Sequence, residues 1–387
     1  MKADCVDYSC VEQFDNWVRL KLPKFNEVLI NDYKDKNVLQ QFIKQGNQLL
    51  LPISDSLQDL TREADEKLDL MNIISPLGYF ISSLVCHGYT IQCQELKLAV
   101  EIIKILSSKI FHPPRDTIYS CYLENSRDDR GLFRSFTLQN DEQVLIECIQ
   151  KSSHIYEQIA TLLREIKKSG FEFKVVSTHF SAVESFNQYR SSLEEISKPD
   201  RTAHRKLSPI FFRQVLSKFH CRYQVEDIDY SPPSPANIRA ITEVDGLIGL
   251  KYPEQEEHLI NNMHNFILSD QDLLKRAFYE PSLLEFLLKG ESIEEIRKDW
   301  INRDLIPLAK LINEVCKVIG RGSAQHWGIV KNYSSPRFQL LLKEEENKES
   351  KRLHVSNMNY LRRHHPLLKK LQEALNYPQI YPQIESS

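Results

Sequence analysis

The chain has 387 residues and a net charge of -3 with both signs mixed along it, so no basic face marks it for nucleic acid. Glycine (11) and proline (17) are sparse and apolar spacings of three and four recur, which predicts a mostly helical protein. Such a length buries a large core without staples, and the eight cysteines, lacking any C-x-x-C pair, read as reduced thiols in a cytoplasmic protein. No signal-peptide core and no run of about 18 apolar residues is visible, so a membrane is not expected as a partner.

Residues 1 to about 55 mix aromatics with charge (Phe14, Trp17, Val18, Leu22, Phe25) and predict short helices or an extended lead-in. Residues 57–71 read as a helix, and Ser75-Pro76 as the opening of another that Gly88 ends. Residues 96–110 form a third, stopped at His112-Pro113-Pro114. The two prolines are expected to start the next helix, PPRDTIYSCYLEN, on which Ile118, Cys121 and Tyr122 share a face. After the charged loop RDDRGLFR, residues 135–138 read as a short strand or extended link. Asn140 with Gln143 then makes a capping box for a long helix, 141–168, ended by Gly170. Val144, Leu145, Cys148 and Ile149 face inward there, with Glu147 beside them.

Residues 171–176 alternate weakly, as a strand does, and Ser181 with Glu184 caps a helix to about 196. Ser208-Pro209 opens another to about 220, with Phe212, Val215, Leu216 and Phe219 on one face. The turn YSPPSP, 230–235, is rigid and cannot pair in a sheet. Residues 236–250 read as a helix with Ile238, Ile241, Val244 and Ile248 inward. Two further helices, about 254–267 and 271–288, precede a long one capped by Ser292 and Glu295 and running towards Gly320. Gly320-Arg321-Gly322 is expected to interrupt it, with Ser323 capping a new helix. On that helix His326, Ile329, Val330 and Tyr333 fall at i, i+3, i+4 and i+7 and share a face. Residues 343–352 are a charge run, and 360–375 an amphipathic piece. The expected division is a smaller helical region (1–100), a main helical domain (101–340) and a charged extension (341–387).

An imidazole among apolar groups, as at His326, is either an axial ligand of a heme iron or a core histidine bonded to a backbone carbonyl. The residues alone leave both open. No Ser–His–Asp elbow, Walker loop, H-E-x-x-H or cysteine zinc site is present, and a lone Gly-x-Gly is no nucleotide fingerprint. The adjacent rings of His364 and His365 diverge on a helix and read as a solvated basic patch. Tyr119 and Tyr122 either line a pocket for an aromatic ligand or sit in the core with their hydroxyls at its rim.

Five stretches in one order resemble the heme-dependent tryptophan/indoleamine dioxygenase superfamily, most closely its monodechloroaminopyrrolnitrin synthase branch. GYFISSLVCHGYT (78–90) is similar to that branch's G-F-F-x-x-S-L-x-x-H-G helix end, and FHPPRDTIYSCYLEN (111–125) to its P-P-R-E-T segment and to the P-P-x-x-x-x-x-x-C helix of indoleamine dioxygenase. SFTLQNDEQVLIE (135–147) and SPIFFRQVLSKF (208–219) align with the branch without gaps. HWGIVKNY (326–333) resembles the H-x-x-I-V-x-x-Y around the proximal histidine of indoleamine dioxygenase. The likeness spans roughly residues 75–335.

The resemblance implies an all-helical fold enclosing heme b, with His326 as proximal ligand and Ile329, Val330 and Tyr333 along its cofactor face. It implies a distal, substrate-binding wall from Ile118, Cys121, Tyr122, Val144, Glu147, Cys148 and Phe212. Three positions depart from the pattern. Ser217 stands where indoleamine dioxygenase has its carboxylate-pairing arginine, and a serine cannot form that bidentate pair; Arg213 and Arg239 are the candidates to replace it. Ser323 stands where a propionate-binding arginine is expected, leaving Arg321 nearest. Ser334-Ser335-Pro336-Arg337 replaces the family's glycine-rich loop. The implied function is a heme-dependent oxygenase that uses dioxygen or peroxide, and an electron donor where the chemistry consumes electrons, to oxidise or rearrange an aromatic, indole-bearing or tryptophan-derived molecule of specialised metabolism. Three other readings stay open: a heme peroxygenase hydroxylating a tyrosine-like ring, a non-catalytic heme-binding or sensing protein, and a helical interaction protein without cofactor.

Overall fold

The computed structural model describes residues 8–31, 35–63, 67–170, 217–221, 223–230, 233, 238–333 and 365–377. Its elements in chain order are α1 (Ser9–Leu20), α2 (Leu22–Asn31), α3 (Lys36–Asp55), α4 (Leu57–Glu63), α5 (Lys67–Cys86), α6 (Lys97–Ile110), a one-turn π-helix (Tyr119–Leu123), α7 (Asn140–Lys168), α8 (Ser217–Phe219), β1 (Tyr223–Val225), β2 (Ile228–Tyr230), α9 (Arg239–Ile248), α10 (Pro253–Asn262), α11 (Leu268–Tyr279), α12 (Leu283–Leu287), α13 (Ile293–Asn302), α14 (Ile306–Tyr333) and α15 (Pro366–Asn376). The described residues are all-α apart from one two-stranded hairpin. No described helix is long and apolar enough to cross a membrane.

The N-terminal aromatics are not a lead-in but the centre of a first core. Trp17 of α1 stacks on Phe42 of α3 (5.4 Å between centroids) and meets the edge of Phe80 of α5 (5.8 Å). Gly46 makes this possible, because a Cβ there would lie 2.3 Å from the Phe80 ring. A second core is built from the C-terminal half of α7 with α9 to α15, around the fully buried Trp300, Leu274 and Ile312. One helix serves both: Ile146 and Ile149 of α7 lie in the first core, Tyr156 to Ile166 in the second.

Several expected boundaries differ. Pro76 does not open a helix but sits inside α5. Burial of Ile73, Ile74, Leu77 and Phe80 around it outweighs the one backbone bond a proline removes. Pro113-Pro114 start no helix; His112, whose ring meets Pro113 O (2.6 Å) and Thr117 Oγ1 (3.0 Å), holds a loop there. Tyr230 does pair, with Tyr223, and the prolines follow the strand. The hairpin turns on Glu226 and Asp227, both at positive φ (52° and 65°), so none of the glycine or asparagine that usually marks such a turn betrays it. The cap of α7 falls on Gln139 rather than Asn140. Pro281 divides the expected helix 271–288 into α11 and α12, and α13 stops at Asn302.

The largest difference concerns Gly320 to Gly322. They interrupt nothing: α14 runs unbroken from Ile306 to Tyr333. A glycine costs a helix about 1 kcal/mol relative to alanine, and the buried stripe Leu308, Ile312, Val315 and Ile319 more than offsets that. The amphipathic piece near the C-terminus is α15, whose Leu368, Leu371 and Ala374 pack into the second core beside α13 and α14. Expectations for 171–176, the Ser181 helix, most of the Ser208 helix and the charge run 343–352 lie outside the described residues.

Candidate active site

The π-helix leaves backbone carbonyls that an α-helix would satisfy, and neighbouring side chains take them up. Its own bond is Glu124 N to Tyr119 O (2.8 Å). Ser75 Oγ of α5 donates to Ser120 O (2.6 Å) and the Tyr79 hydroxyl to Cys121 O (2.9 Å). Gln150 of α7 donates to Tyr122 O (2.8 Å) and Asn125 O (2.9 Å). Asn125, fully buried, donates to the Tyr79 hydroxyl, Cys121 O and Arg134 O and accepts from Arg134 N (3.0 Å). The turn is thereby clamped between α5 and α7.

This clamp brings Ile118, Cys121 and Tyr122 together, all three buried. Burial pushes the Cys121 thiol well above its usual range, so it stays neutral. The wall continues through Phe136, which stacks on Phe219 of α8 (4.7 Å, 13°) and meets Tyr79 (4.5 Å). Buried Glu142 fixes that segment by accepting from the Phe136 and Thr137 amides (2.8 and 2.9 Å) and the Thr137 hydroxyl. Its own burial raises its pKa to about 7, the three hydrogen bonds opposing the rise. Val144 and Cys148 are half-buried on the next turns of α7, the Cys148 thiol pushed by burial to about 11.

Other candidates stand elsewhere. Glu147 pairs with Arg127 near the surface. Arg239, at the start of α9, meets Glu157, Glu243 and, at 3.4 Å, Asp270; the Tyr119 hydroxyl donates to the same Asp270. Its charge is thus already matched by three carboxylates. Ser217 begins α8; Phe212 and Arg213 lie outside the described residues. Arg321, His326, Ile329, Val330 and Tyr333 all fall within α14, the last four in register along one face of a continuous helix. His365 is no surface partner of His364 but a buried N-cap of α15: Nδ1 accepts from Leu367 N and Nε2 lies 3.2 Å from Lys251 O.

Sequence reasoning missed two groups that shape this site. Arg115 and Asp116, both fully buried, pair at 2.7 Å. Arg115 also donates to Tyr230 O (2.7 Å) and Cys221 O (3.0 Å) and lies over the Tyr223 ring, tying the hairpin and the end of α8 to the π-helix. The other is His220, whose Nε2 lies 3.0 Å from the Tyr122 hydroxyl. A charged pair directly after a double proline was the one available signal; His220 had none.

The family model described as monodechloroaminopyrrolnitrin synthase PrnB matches residues 8–373. The chain belongs to that family. A search of curated proteins found no match. As a monodechloroaminopyrrolnitrin synthase family member it is an enzyme, of an oxygenase family that depends on heme and serves secondary metabolism. The match begins beside α1 and ends inside α15, so the C-terminal helix is part of the family's body.

The described residues around the π-helix would offer a planar, mostly apolar cofactor an uncharged surface. Around the π-helix the charges are spoken for, Arg115 by Asp116 and Arg239 by its carboxylates, while Ile118, Cys121 and Tyr122 form an uncharged wall. Among the described residues no group of three or more His, Cys, Asp or Glu offers a competing metal site.

Proposed function

We propose that this enzyme holds heme b on His326 and oxidises, with dioxygen, an indole-bearing or tryptophan-derived aromatic molecule. The observation that carries the reading is the unbroken α14, which keeps positions 326, 329, 330 and 333 in register with no break at the glycines. Heme, when bound, would supply the iron at which dioxygen is activated.

The chain's own residues do the rest. His326 would hold the heme through its imidazole, with Ile329, Val330 and Tyr333 at the positions of α14 that share its face and would give it an apolar support, and Arg321 would be the nearest candidate for a propionate. Ile118, Cys121, Tyr122, Val144 and Cys148 hold the aromatic ring by apolar contact and keep water away from it. With Arg239 occupied by ion pairs, recognition of a substrate carboxylate falls to Arg213, four residues before Ser217 in the sequence, or the substrate carries none.

The test is the absorption spectrum of the chain reconstituted with hemin, wild type beside His326→Ala, before and after reduction and carbon monoxide. An intense Soret band of a histidine-ligated heme, lost or shifted in the variant, is expected. Equal hemin binding by both chains would remove the proximal assignment. Product analysis with tryptophan, tryptamine and indole, under dioxygen and separately with peroxide, then separates oxygenase from peroxygenase chemistry. A spectrum that no indole or phenol perturbs would instead favour a protein that only binds heme.

A further inference from the structure

Tyr122 and His220 come from segments 98 residues apart. Their rings meet edge to face at 6.2 Å and 75°, with the hydroxyl 3.0 Å from Nε2. The two ends of this pair differ. Tyr122 is buried in the wall of Ile118 and Cys121, whereas His220 as a residue keeps part of its surface exposed and its Nδ1 has no hydrogen bond among the described residues. Independent contacts hold the histidine in place: Arg115 grips the Cys221 carbonyl next to it, and Phe219 before it stacks on Phe136. A buried phenol that needed only a partner could have been met by a backbone carbonyl, as Tyr79 is.

We propose that Tyr122 and His220 form a proton relay between the wall of the active site and solvent. The inference rests on the oxygenase reading for its purpose but not for its test. In one passage the Oη–H proton of Tyr122 moves to an acceptor in the site. The Nε2–H proton of His220 replaces it on Oη, and Nδ1 takes up a proton from water. One proton enters, one leaves, and no electrons move. Rotation of the hydroxyl and return of the imidazole to its Nε2–H tautomer reset the pair. The groups facing His220 are Asp116 and Arg115, which neutralise one another; those facing Tyr122 are the Glu142 carboxyl, the Cys121 thiol and Asp116. Burial lowers the His220 pKa to about 4, so the ring is neutral at rest and can accept. Reactions that reduce dioxygen to the level of water need such a supply; those that place both oxygen atoms in the product do not.

The test uses the full chain without heme or substrate. Tyrosine labelled with 13C at Cζ shows a shifted signal when Oη carries deuterium, so exchange of each hydroxyl with D2O is timed directly, and Tyr122→Phe identifies the Tyr122 signal. In His220→Gln the amide can still hydrogen bond to the phenol but cannot pass a proton. A relay predicts exchange slower there by about a hundredfold, the usual scale of a positioned acid–base group. A partner that merely fills a hydrogen bond predicts equal or faster exchange, and that result overturns the proposal. If His220→Gln does not fold, the wild type alone decides: exchange must quicken as pH falls towards 4, where His220 protonates, and a rate that follows hydroxide alone overturns the relay. Failure of His326 to hold hemin would sink the functional reading and leave this exchange rate unchanged, so the two can fail separately.

Discussion

Asn125 shows how much one uncharged side chain can organise. It is fully buried, and its amide spends both protons and its oxygen on the π-helix, Tyr79 and the Arg134 backbone. Asn125→Leu keeps the volume and strands several buried partners, so urea unfolding should show a loss of about 2–4 kcal/mol. Glu142 is a second such residue, with a testable sign. Its pKa rises from 4.5 unfolded to about 7 folded, so the folded chain binds the extra proton between those values. Its stabilising contribution is fully present below about pH 4.5 and is lost as pH rises towards 7, an effect on the order of 3 kcal/mol. In Glu142→Gln that loss between pH 4.5 and 7 should vanish from the stability profile. A slope unchanged by the substitution would place it in another group.

At the scale of elements, apolar spacing made most helices legible. α6, α7 and α9 stand where periodicity put them, and the Ser292 capping box opens α13 as expected. The register of His326 with Ile329, Val330 and Tyr333 was legible for the same reason, since four residues suffice to define a helical face. What could not be read depends on partners distant in sequence. Nothing local distinguishes a π-helix from an α-helix over YSCYL; Ser75, Tyr79, Asn125 and Gln150 decide it. Nor does the sequence around Pro76 or Gly320 disclose that buried stripes on either side will carry a helix through. The C-terminal helix likewise declares its amphipathic face but not what it covers. Because α15 packs on α14, Leu371→Ala, at a fully buried position, should cost about 2–5 kcal/mol. Under the heme reading it should also weaken hemin binding, measured by titration, with His326 untouched.

At the scale of the molecule, α7 joins the two cores, and they should therefore unfold together. Trp17 reports on the first and Trp300 on the second. Chains keeping only one of these tryptophans should show the same urea midpoint; separate midpoints would mean that α7 does not couple them. Acid should act on the whole as well. Burial holds the imidazoles of His87 and His220 down at about 4, below the 6.5 of the unfolded chain. Each contributes stability that is present above about pH 6.5 and lost as pH falls towards 4. Two histidines outweigh the opposite trend of Glu142, so the melting temperature should fall on acidification from pH 6.5 to 4.5, and more steeply in Glu142→Gln.

The π-helix can also be counted rather than drawn. Its hydrogen bond spans one residue more than an α-helix's would, so the aim of Cys121 and Tyr122 depends on how many residues lie between Thr117 and Asn125 as well as on which they are. Deleting one of them would let the segment wind as an ordinary α-turn and swing everything beyond it by about 100°. For this buried turn, a change in length is the more severe mutation, and a substitution the milder one.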